Sequence, residues 1–250
     1  MEERSVAEWK KDESRIVEPS LWERLERTAP APRTALTLER IAAAAVELAD
    51  REGADAVTMR RLATELGVAP MAAYRHVSGK DDLWALMIDR VSAELAVPDE
   101  ITGWREVLRS FAVQTRELML RHPWMGRVPA GAVQLTPTRM AVAERQLAAL
   151  VDLGLDADAM MAAFRAVTSY VQGAVQSEIA LREFKEQHGW GSGAEARQAL
   201  APQMNYLMES GRYPVYRTYS LAASRKDDPG WEFEFGVDCV LDGIARRLGI

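Results

Sequence analysis

The sequence predicts an all-α fold with a small N-terminal domain and a larger C-terminal one. Nearly every periodic segment repeats its apolar residues at helical spacing, and none shows the alternation that is typical of strands. Threonine, serine or aspartate precedes most of these segments, and glycine follows several of them, as at helix ends. Apolar residues make up 48% of the 250 residues, so the chain can bury a sizeable core. We therefore expect roughly nine or ten helices.

The first 36 residues are expected to form an arm that is partly disordered or helical. Ser20 can cap a short helix, LWERLERTA, and the APAPRTA that follows has the composition of an extended linker. Seven basic and eight acidic residues nearly balance in this arm, which favours a tail without a fixed structure.

Residues 37–95 are predicted to contain four helices. The first three form a small domain, and the fourth follows it. Caps or a proline mark the helix starts, and glycine marks two of the ends. The predicted starts are Thr37, Thr58, Pro70, and Lys80 or Asp81. The predicted ends are Gly53, Gly67 and, for the last helix, a point before Pro98.

Residues 96–250 are predicted to form a larger helical domain. One long helix and several medium helices are delimited by capping residues and glycines. The predicted helices run from Thr102 to about Arg121, from Thr136 to Gly154, from Asp156 to about His188, from near Glu195 to Glu209, and from Asp228 onward.

Composition excludes several classes of protein. The net charge of −6 argues against a chain that coats nucleic acid along its whole surface. Cys239 is the only cysteine, which excludes an intramolecular disulfide and fits a reducing cytoplasm. The charged N-terminus lacks the apolar run of a secretion signal, and no segment has the uncharged apolar length of a membrane span. We therefore expect a cytoplasmic protein that does not bind membranes.

The stretch TMRRLATELGVAPMAAYRHVSGKDDL has the pattern of two short helices joined at Gly67, a helix-turn-helix. Between Thr58 and Lys80 four basic residues and one acidic residue give a net charge of +3, which leaves −9 for the rest of the chain. A positive island on a negative body can bind DNA phosphates while the remainder stays clear of the duplex. The alternative is an ordinary solvated helical hairpin, and the three arginines of RLERTAPAPR leave a minor-groove arm as a further option.

This stretch resembles the helix-turn-helix signature of the tetracycline-repressor (TetR/AcrR) family. The likeness runs back to TLERIAAAAVELADREGADAVT and forward into LWALMIDRV, and so covers residues 37–95. The final GWEFEFGVDCVLDGIARRL resembles the last helix of the C-terminal domain in repressors close to the tetracycline repressor. The resemblance implies an N-terminal DNA-binding domain followed by a domain for ligand binding and dimerisation.

The resemblance also implies nine DNA contacts. Those expected to touch phosphates are Thr58, Tyr74, His76 and Lys80. Those expected at base edges are Arg60, Pro70, Met71 and Ala72, with Arg75 at a base or a phosphate. Arginine can pair bidentately with guanine, whereas a hydroxyl or ammonium on a phosphate carries no sequence information. Since APMAA is poor in donors, direct readout should depend on Arg60 and Arg75, with DNA shape supplying the rest.

The C-terminal domain has room for a ligand cavity. Apolar residues on several helices, with a few polar groups nearby, are typical of small-molecule sites. The candidate ligand contacts are Trp104, Phe111, His122, Gln134, Met140, Phe164, Thr168 and Gln172. The alternative is that these side chains simply form the core.

A homodimer is expected because one helix-turn-helix reads only a short half-site, while two copies about 34–36 Å apart match successive major grooves. In the resembled family the long helix and the last helix pair across a two-fold axis. The small residues Gly173, Ala174, Ser177 and Gly243 would permit close packing there. Ordinary internal packing is the alternative.

Catalytic and metal sites gain little support from the sequence. The three histidines are far apart, and Cys239 has no ligand neighbour at metal spacing. No phosphate loop or nucleophile elbow is present, so neither an enzyme nor a cofactor is predicted. We expect a regulator, most simply a repressor released from a palindromic operator by a small molecule. The alternatives are a dimeric regulator without a ligand and an all-α enzyme.

Overall fold

The structure, a computed structural model, describes residues 20–26, 36–95, 100–128 and 135–250. These residues form eleven α-helices and no strand, which confirms the all-α prediction. Most of the predicted arm, and the candidate ligand contact Gln134, lie outside the described residues. None of the described helices combines the length and the apolar character that a membrane crossing requires.

The helices follow one another with short connections. The N-terminal helices are α1 (Leu21–Glu26), α2 (Leu38–Glu52), α3 (Met59–Glu65), α4 (Pro70–Tyr74) and α5 (Lys80–Ser92). The C-terminal helices are α6 (Trp104–Arg121), α7 (Pro137–Val151), α8 (Ala157–Gln187), α9 (Gly193–Glu209), α10 (Pro214–Ala222) and α11 (Pro229–Leu248). Short 3-10 turns occupy Ala54–Ala56 and Pro123–Arg127.

Local sequence signals explain most of the helix starts. The side chains of Thr37, Thr58 and Thr136 each accept a hydrogen bond from the backbone amide three residues later. Asp156 and Asp228 cap α8 and α11 in the same way. Each cap satisfies one of the amides that a helix start leaves without a partner, so these predicted starts are confirmed.

Three predictions of helix position were wrong. Gly103, not Thr102, is the N-cap of α6, and it offers no side-chain bond. Helix α9 begins at Gly193 because Ser192 caps it: Ser192 Oγ accepts from the Glu195 amide at 3.1 Å, and the Glu195 carboxylate accepts from the Gly191 amide at 2.8 Å. Helix α10 was not predicted at all. Pro214 starts it, and none of its nine residues is buried.

The N-terminal core surrounds α2 and α5. Ile41 and Leu48 of α2 and Met87 of α5 are fully buried in one hydrophobic cluster. The cluster also takes in Trp124, whose ring stacks on Trp84 with centroids 6.2 Å apart. The N-terminal helices therefore pack directly against the segment that follows α6, and the predicted boundaries at residues 36, 95 and 96 stay predictions.

The C-terminal core lies between α6, α8 and α11. Val171 of α8 and Leu241 of α11 are buried in a second hydrophobic cluster. Gly236 permits a close approach of the two helices, since a Cβ there would stand 2.0 Å from the Tyr170 hydroxyl. That hydroxyl donates to the Phe233 carbonyl at 3.0 Å, and burial, followed by the charge of Glu232, raises the pKa of Tyr170. The long α8 is thus fixed along α11.

Helices α9 and α10 differ from the rest of the molecule because neither contains a buried residue. Large apolar side chains on both remain exposed. These are Leu200, Tyr206, Leu207, Val215, Tyr216, Tyr219 and Leu221.

Candidate DNA-binding surface and ligand cavity

Helices α3 and α4 form a tight helix-turn-helix. Gly67, with φ of +67°, supplies the left-handed conformation that the turn requires. The Val68 amide donates to the Ala63 carbonyl at 3.0 Å and closes the end of α3. Pro70 then occupies the first turn of α4, where its missing amide hydrogen costs no helix bond.

Four side chains hold this unit together from the inside. Leu62, Ala63, Ala73 and Val77 are each 1% exposed or less. Ala73 faces inward, while its neighbour Ala72, one of the expected base contacts, is half-buried. The small inner alanines let the two helices approach closely.

All nine residues expected at DNA retain accessible surface. Those classed as exposed are Thr58, Arg60, Pro70, Met71, Tyr74, Arg75 and Lys80. Ala72 and His76 are half-buried. Met71, at the start of α4, is an apolar side chain that is 71% exposed and so can be reached by DNA. The individual roles of the nine stay predictions.

Ion pairs divide the basic residues of this surface into two groups. Arg61 contacts Glu52 at 2.9 Å and Glu65 at 3.2 Å, and Arg51 contacts Glu65 at 2.8 Å. The hydrogen bond from Arg51, assisted by the charge of Arg61, holds the pKa of Glu52 below its ordinary value. Arg61 and Glu65, both counted in the local charge of +3, therefore largely neutralise each other.

Three cations remain without a carboxylate partner among the described residues: Arg60, Arg75 and Lys80. The Lys80 ammonium lies 5.3 Å from the ring centroid of Trp84, which supports it without neutralising it. These three side chains are available for phosphates or base edges.

A cavity of about 170 Å³ lies between α5, α6, α7 and α8. Its apolar wall comprises Ile88, Leu95, Phe111, Leu118, Met119, Met125, Val128, Val142, Ala143, Phe164 and Val171. Its polar members are Ser92, Thr115, Arg139, Gln146, Thr168 and Gln172. An apolar cavity with a few polar groups is typical of a small-molecule site.

Four of the predicted ligand contacts meet in this cavity: Phe111, Phe164, Thr168 and Gln172. Trp104, His122 and Met140 do not line it. Trp104 packs against the second hydrophobic cluster at the start of α6, and Met140 is 51% exposed on the outer face of α7. Helical spacing placed these side chains on the right elements but could not specify which face turns inward.

His122 forms a different site, a polar junction between the N-terminal helices and the end of α6. Its Nδ1 lies 2.7 Å from Asp50 of α2, and its Nε2 lies 3.3 Å from Glu94, just after α5. Trp124 Nε1 donates to the same Asp50 oxygen at 2.7 Å. The imidazole is therefore fully occupied by protein partners, which explains why it does not reach the cavity.

Four polar cavity residues were missed by the sequence analysis: Ser92, Thr115, Arg139 and Gln146. The hydroxyl of Thr115 and the amide oxygen of Gln146 are buried without a hydrogen-bond partner among the described residues. Burial lowers the pKa of the Arg139 guanidinium. The spacing of Arg139, Val142, Ala143 and Gln146 along one face of α7 was the available signal.

Helix α5 connects the two candidate sites. Lys80 begins it beside the helix-turn-helix, while Ile88 and Ser92 near its end line the cavity. Its 13 residues span only about 18 Å at 1.5 Å per residue. A displacement of the cavity wall on α5 is thus a displacement of the element that carries Lys80.

The small residues expected at a dimer interface are mostly on the outside of the protomer. Gly173, Ser177 and Gly243 are exposed, whereas Ala174 packs against the second cluster. A Cβ added at Gly173 or at Gly243 would meet no atom within 4 Å. Open space at these positions leaves room for another helix.

No group of three or more potential metal ligands occurs in the part of the chain that the structure describes.

Two family models match the chain. The model of bacterial regulatory proteins of the tetR family matches residues 35–87. The model of the tetracyclin repressor-like C-terminal domain matches residues 97–248. The first therefore covers the helix-turn-helix, and the second covers α6, α7 and α8, which are three of the four helices around the cavity.

Relatives of known identity cover most of the chain. The HTH-type transcriptional repressor DrrR1 of Streptomyces coeruleorubidus is 35% identical over 238 residues, which are 92% of this chain and 86% of the relative. Apo ActR of Streptomyces coelicolor superposes with a TM-score of 0.70 at 27% identity, over 88% of this chain and 99% of that one. ActR in complex with actinorhodin gives a TM-score of 0.69 at 27% identity, over 84% and 95% of the two chains.

Proposed function

The chain belongs to the tetR family of bacterial regulatory proteins, and from this premise we propose that it is a homodimeric repressor released from operator DNA by a small molecule. One observation carries the proposal: a single short helix, α5, begins at the unpaired Lys80 and ends in the wall of an apolar cavity. DNA contact and ligand contact are therefore properties of the same rigid element.

On the DNA side, α4 would enter the major groove. Arg60 and Arg75 would supply hydrogen bonds to bases or phosphates, and the exposed Met71 would meet a thymine methyl. Lys80 and the Thr58 hydroxyl would fix the register on the backbone. Within the described residues neither Arg60, Arg75 nor Lys80 forms an ion pair with a carboxylate, which supports this use of their charges.

Two copies would pair through α8 and α11, with Gly173 and Gly243 at the closest approach. The pairing sets the distance between the two copies of α4, and this distance must match about one turn of DNA. Any change in the orientation of α5 would alter the match at both half-sites together.

Ligand release follows from a difference in affinity between two states. A molecule that fills the cavity favours the arrangement of α5 that accommodates it, and the free protein favours the arrangement that fits DNA. To reverse a 99:1 ratio of the DNA-binding state to the ligand-binding state, the ligand must bind the second state about 10⁴-fold more tightly than the first. ActR is a structural relative that was solved in complex with actinorhodin, and this supports a small-molecule effector here.

The proposal assigns no catalytic role to the chain, in keeping with relatives that are transcriptional regulators. Because the target is chromosomal DNA, we place its action in the bacterial cytoplasm.

The test is direct binding to a palindromic DNA duplex from the region upstream of the protein's own gene. Fluorescence anisotropy of the labelled duplex measures the affinity. We expect tight binding that weakens steeply with salt, by a slope near −0.9 per neutralised phosphate. Arg75→Ala should weaken it, whereas Arg212→Ala, which removes the same charge from the α9–α10 turn, should not. Equal affinities of the two variants would contradict the assigned surface. Binding that no compound releases would favour a regulator without a ligand.

A further inference from the structure

Arg139 lines the cavity, and no carboxylate among the described residues pairs with it, unlike most arginines of the neighbouring helix α6. Five arginines of α6 and the turn after it each contact an aspartate or glutamate: Arg105, Arg109, Arg116, Arg121 and Arg127. Arg145, on the same helix as Arg139, donates to the Ile101 carbonyl at 2.6 Å. Arg139 instead lies in the cavity wall without an acidic partner in the described fold.

Arg139 lines the cavity although it is also exposed to solvent. The protein around its guanidinium lowers its pKa by desolvation. Arginine keeps its proton under all physiological conditions, so an anion that enters the cavity meets a charge that no protein group has neutralised. A carboxylate matches the two parallel N–H donors of a guanidinium.

Two further polar atoms of the cavity lack partners. Gln146 is 1% exposed, and its amide nitrogen already donates to the Val142 carbonyl at 3.1 Å. Its oxygen is left with no donor in the described part of the fold, and Thr115 Oγ1 is in the same position. An amide oxygen can only accept, so Gln146 requires a hydrogen-bond donor on the ligand.

The remaining wall restricts the shape of the ligand. Phe111, Phe164 and Met119 offer flat, apolar contacts. The volume of about 170 Å³ is close to that of an engineered cavity of roughly 150 Å³ that binds benzene, so a ring system fits.

We infer that the effector is an apolar ring compound with an acidic group that pairs with Arg139 and a hydroxyl that donates to Gln146. This inference rests on the proposed function, because it names the chemical class of the molecule that the cavity takes. It does not follow from the family, whose likeness specifies a cavity but not the charge of its occupant.

The test uses matched acid and amide pairs: 2-naphthoic acid with 2-naphthamide, and their 6-hydroxy derivatives. Calorimetry with the full-length dimer should show that each acid binds at least about tenfold more tightly than its amide. A tenfold difference is the scale of one charged hydrogen bond. Arg139→Gln should abolish this preference, whereas Arg145→Gln, which removes a charge outside the cavity, should keep it. Gln146→Leu should remove any advantage of the 6-hydroxy compounds.

The outcomes separate this inference from the proposed function. Equal binding of acid and amide, or an acid preference that survives in Arg139→Gln, would overturn the acidic class and leave a ligand-responsive repressor intact. Binding of no compound would overturn the ligand-binding role of the cavity itself. A fall in the melting temperature of ligand-free Arg139→Gln would reveal a structural partner for the guanidinium and would also overturn the inference.

Discussion

At the scale of single residues, the ion pairs of an arginine indicate whether its charge is available to DNA. Arg60 and Arg61 are neighbours in the chain, yet Arg61 contacts both Glu52 and Glu65 while Arg60 has no acidic partner among the described residues. A cation held by two carboxylates has little potential left for a phosphate. The sequence counts the two charges alike, but the fold distinguishes them.

Arg60→Ala and Arg61→Ala should therefore change different properties of the protein: the first its operator binding, the second its stability. If Arg60 reaches a base edge, its loss should weaken operator binding by about 1–3 kcal/mol and relax specificity at one position. Loss of Arg61 should leave DNA binding within about twofold and lower the unfolding free energy by less than about 1 kcal/mol, as for exposed ion pairs. Anisotropy on the operator and urea unfolding measure the two effects, and a swapped pattern would contradict the assignment.

Lys80 and Met71 make a second contrast, between a backbone contact and a base contact. Lys80→Ala should weaken binding to all duplexes alike and reduce the slope of log affinity against log salt by about 1. Met71→Ala should leave that slope unchanged and reduce the discrimination between operator and mutated operators. Salt titrations on both duplexes provide the measurement, and a changed slope for Met71→Ala would count against an apolar base contact.

At the scale of elements, the junction around His122 ties three segments of the chain together. The imidazole contacts Asp50 of α2 and Glu94 after α5, and the Trp124 indole shares the Asp50 oxygen. The two contacts to Asp50 would be broken if α2 moved away from the end of α6, and the contact to Glu94 would be broken if the end of α5 did. The junction therefore opposes separation of α2 and α5 from the end of α6.

His122→Ala should lower the unfolding free energy by about 1–3 kcal/mol, because it empties a buried position and removes the imidazole contacts to Asp50 and Glu94. Met140→Ala, at another ligand candidate that does not line the cavity, is the control, and it should change stability by less than about 0.5 kcal/mol because the side chain is half exposed. Urea denaturation of both variants tests this. Equal stability of the two would show that the junction contributes nothing.

Elements whose signals are local were predictable from sequence. Thr58 and Gly67 act within four residues of themselves, through a cap and a left-handed turn, so the order of residues alone locates the helix-turn-helix. Arg139 was missed and His122 was misplaced because their roles depend on groups far away in the chain. The partner of His122, Asp50, is 72 residues distant, and no periodicity encodes that contact.

At the scale of the whole molecule, the protomer leaves surface that a second copy can use. Gly173 on α8 has open space where a side chain would stand. Two hydrophobic clusters hold the protomer together without any contribution from that face.

Gly173→Arg should therefore leave the protomer fold intact but prevent dimer formation, because two like charges would meet at the two-fold axis. Arginine also has a better helix propensity than glycine, so a loss of local helix stability is not expected. Ala148→Arg, at an exposed position of α7, is the matched control. Light scattering should give a monomer for the first variant and a dimer for the second, with operator binding lost only in the monomer.

The double use of α5 has a consequence for how such regulators diverge. Ile88 and Ser92 lie on the same 13-residue helix as Lys80, so a substitution there that shifts α5 to suit a new ligand also shifts Lys80. Substitutions on α6 and α7, which carry neither the expected DNA contacts nor the proposed dimer contacts, avoid that coupling. A lineage that acquires a new inducer should therefore accumulate its changes on those two helices, and chimaeras that exchange them should keep the parental operator while they adopt the donor's chemical sensitivity.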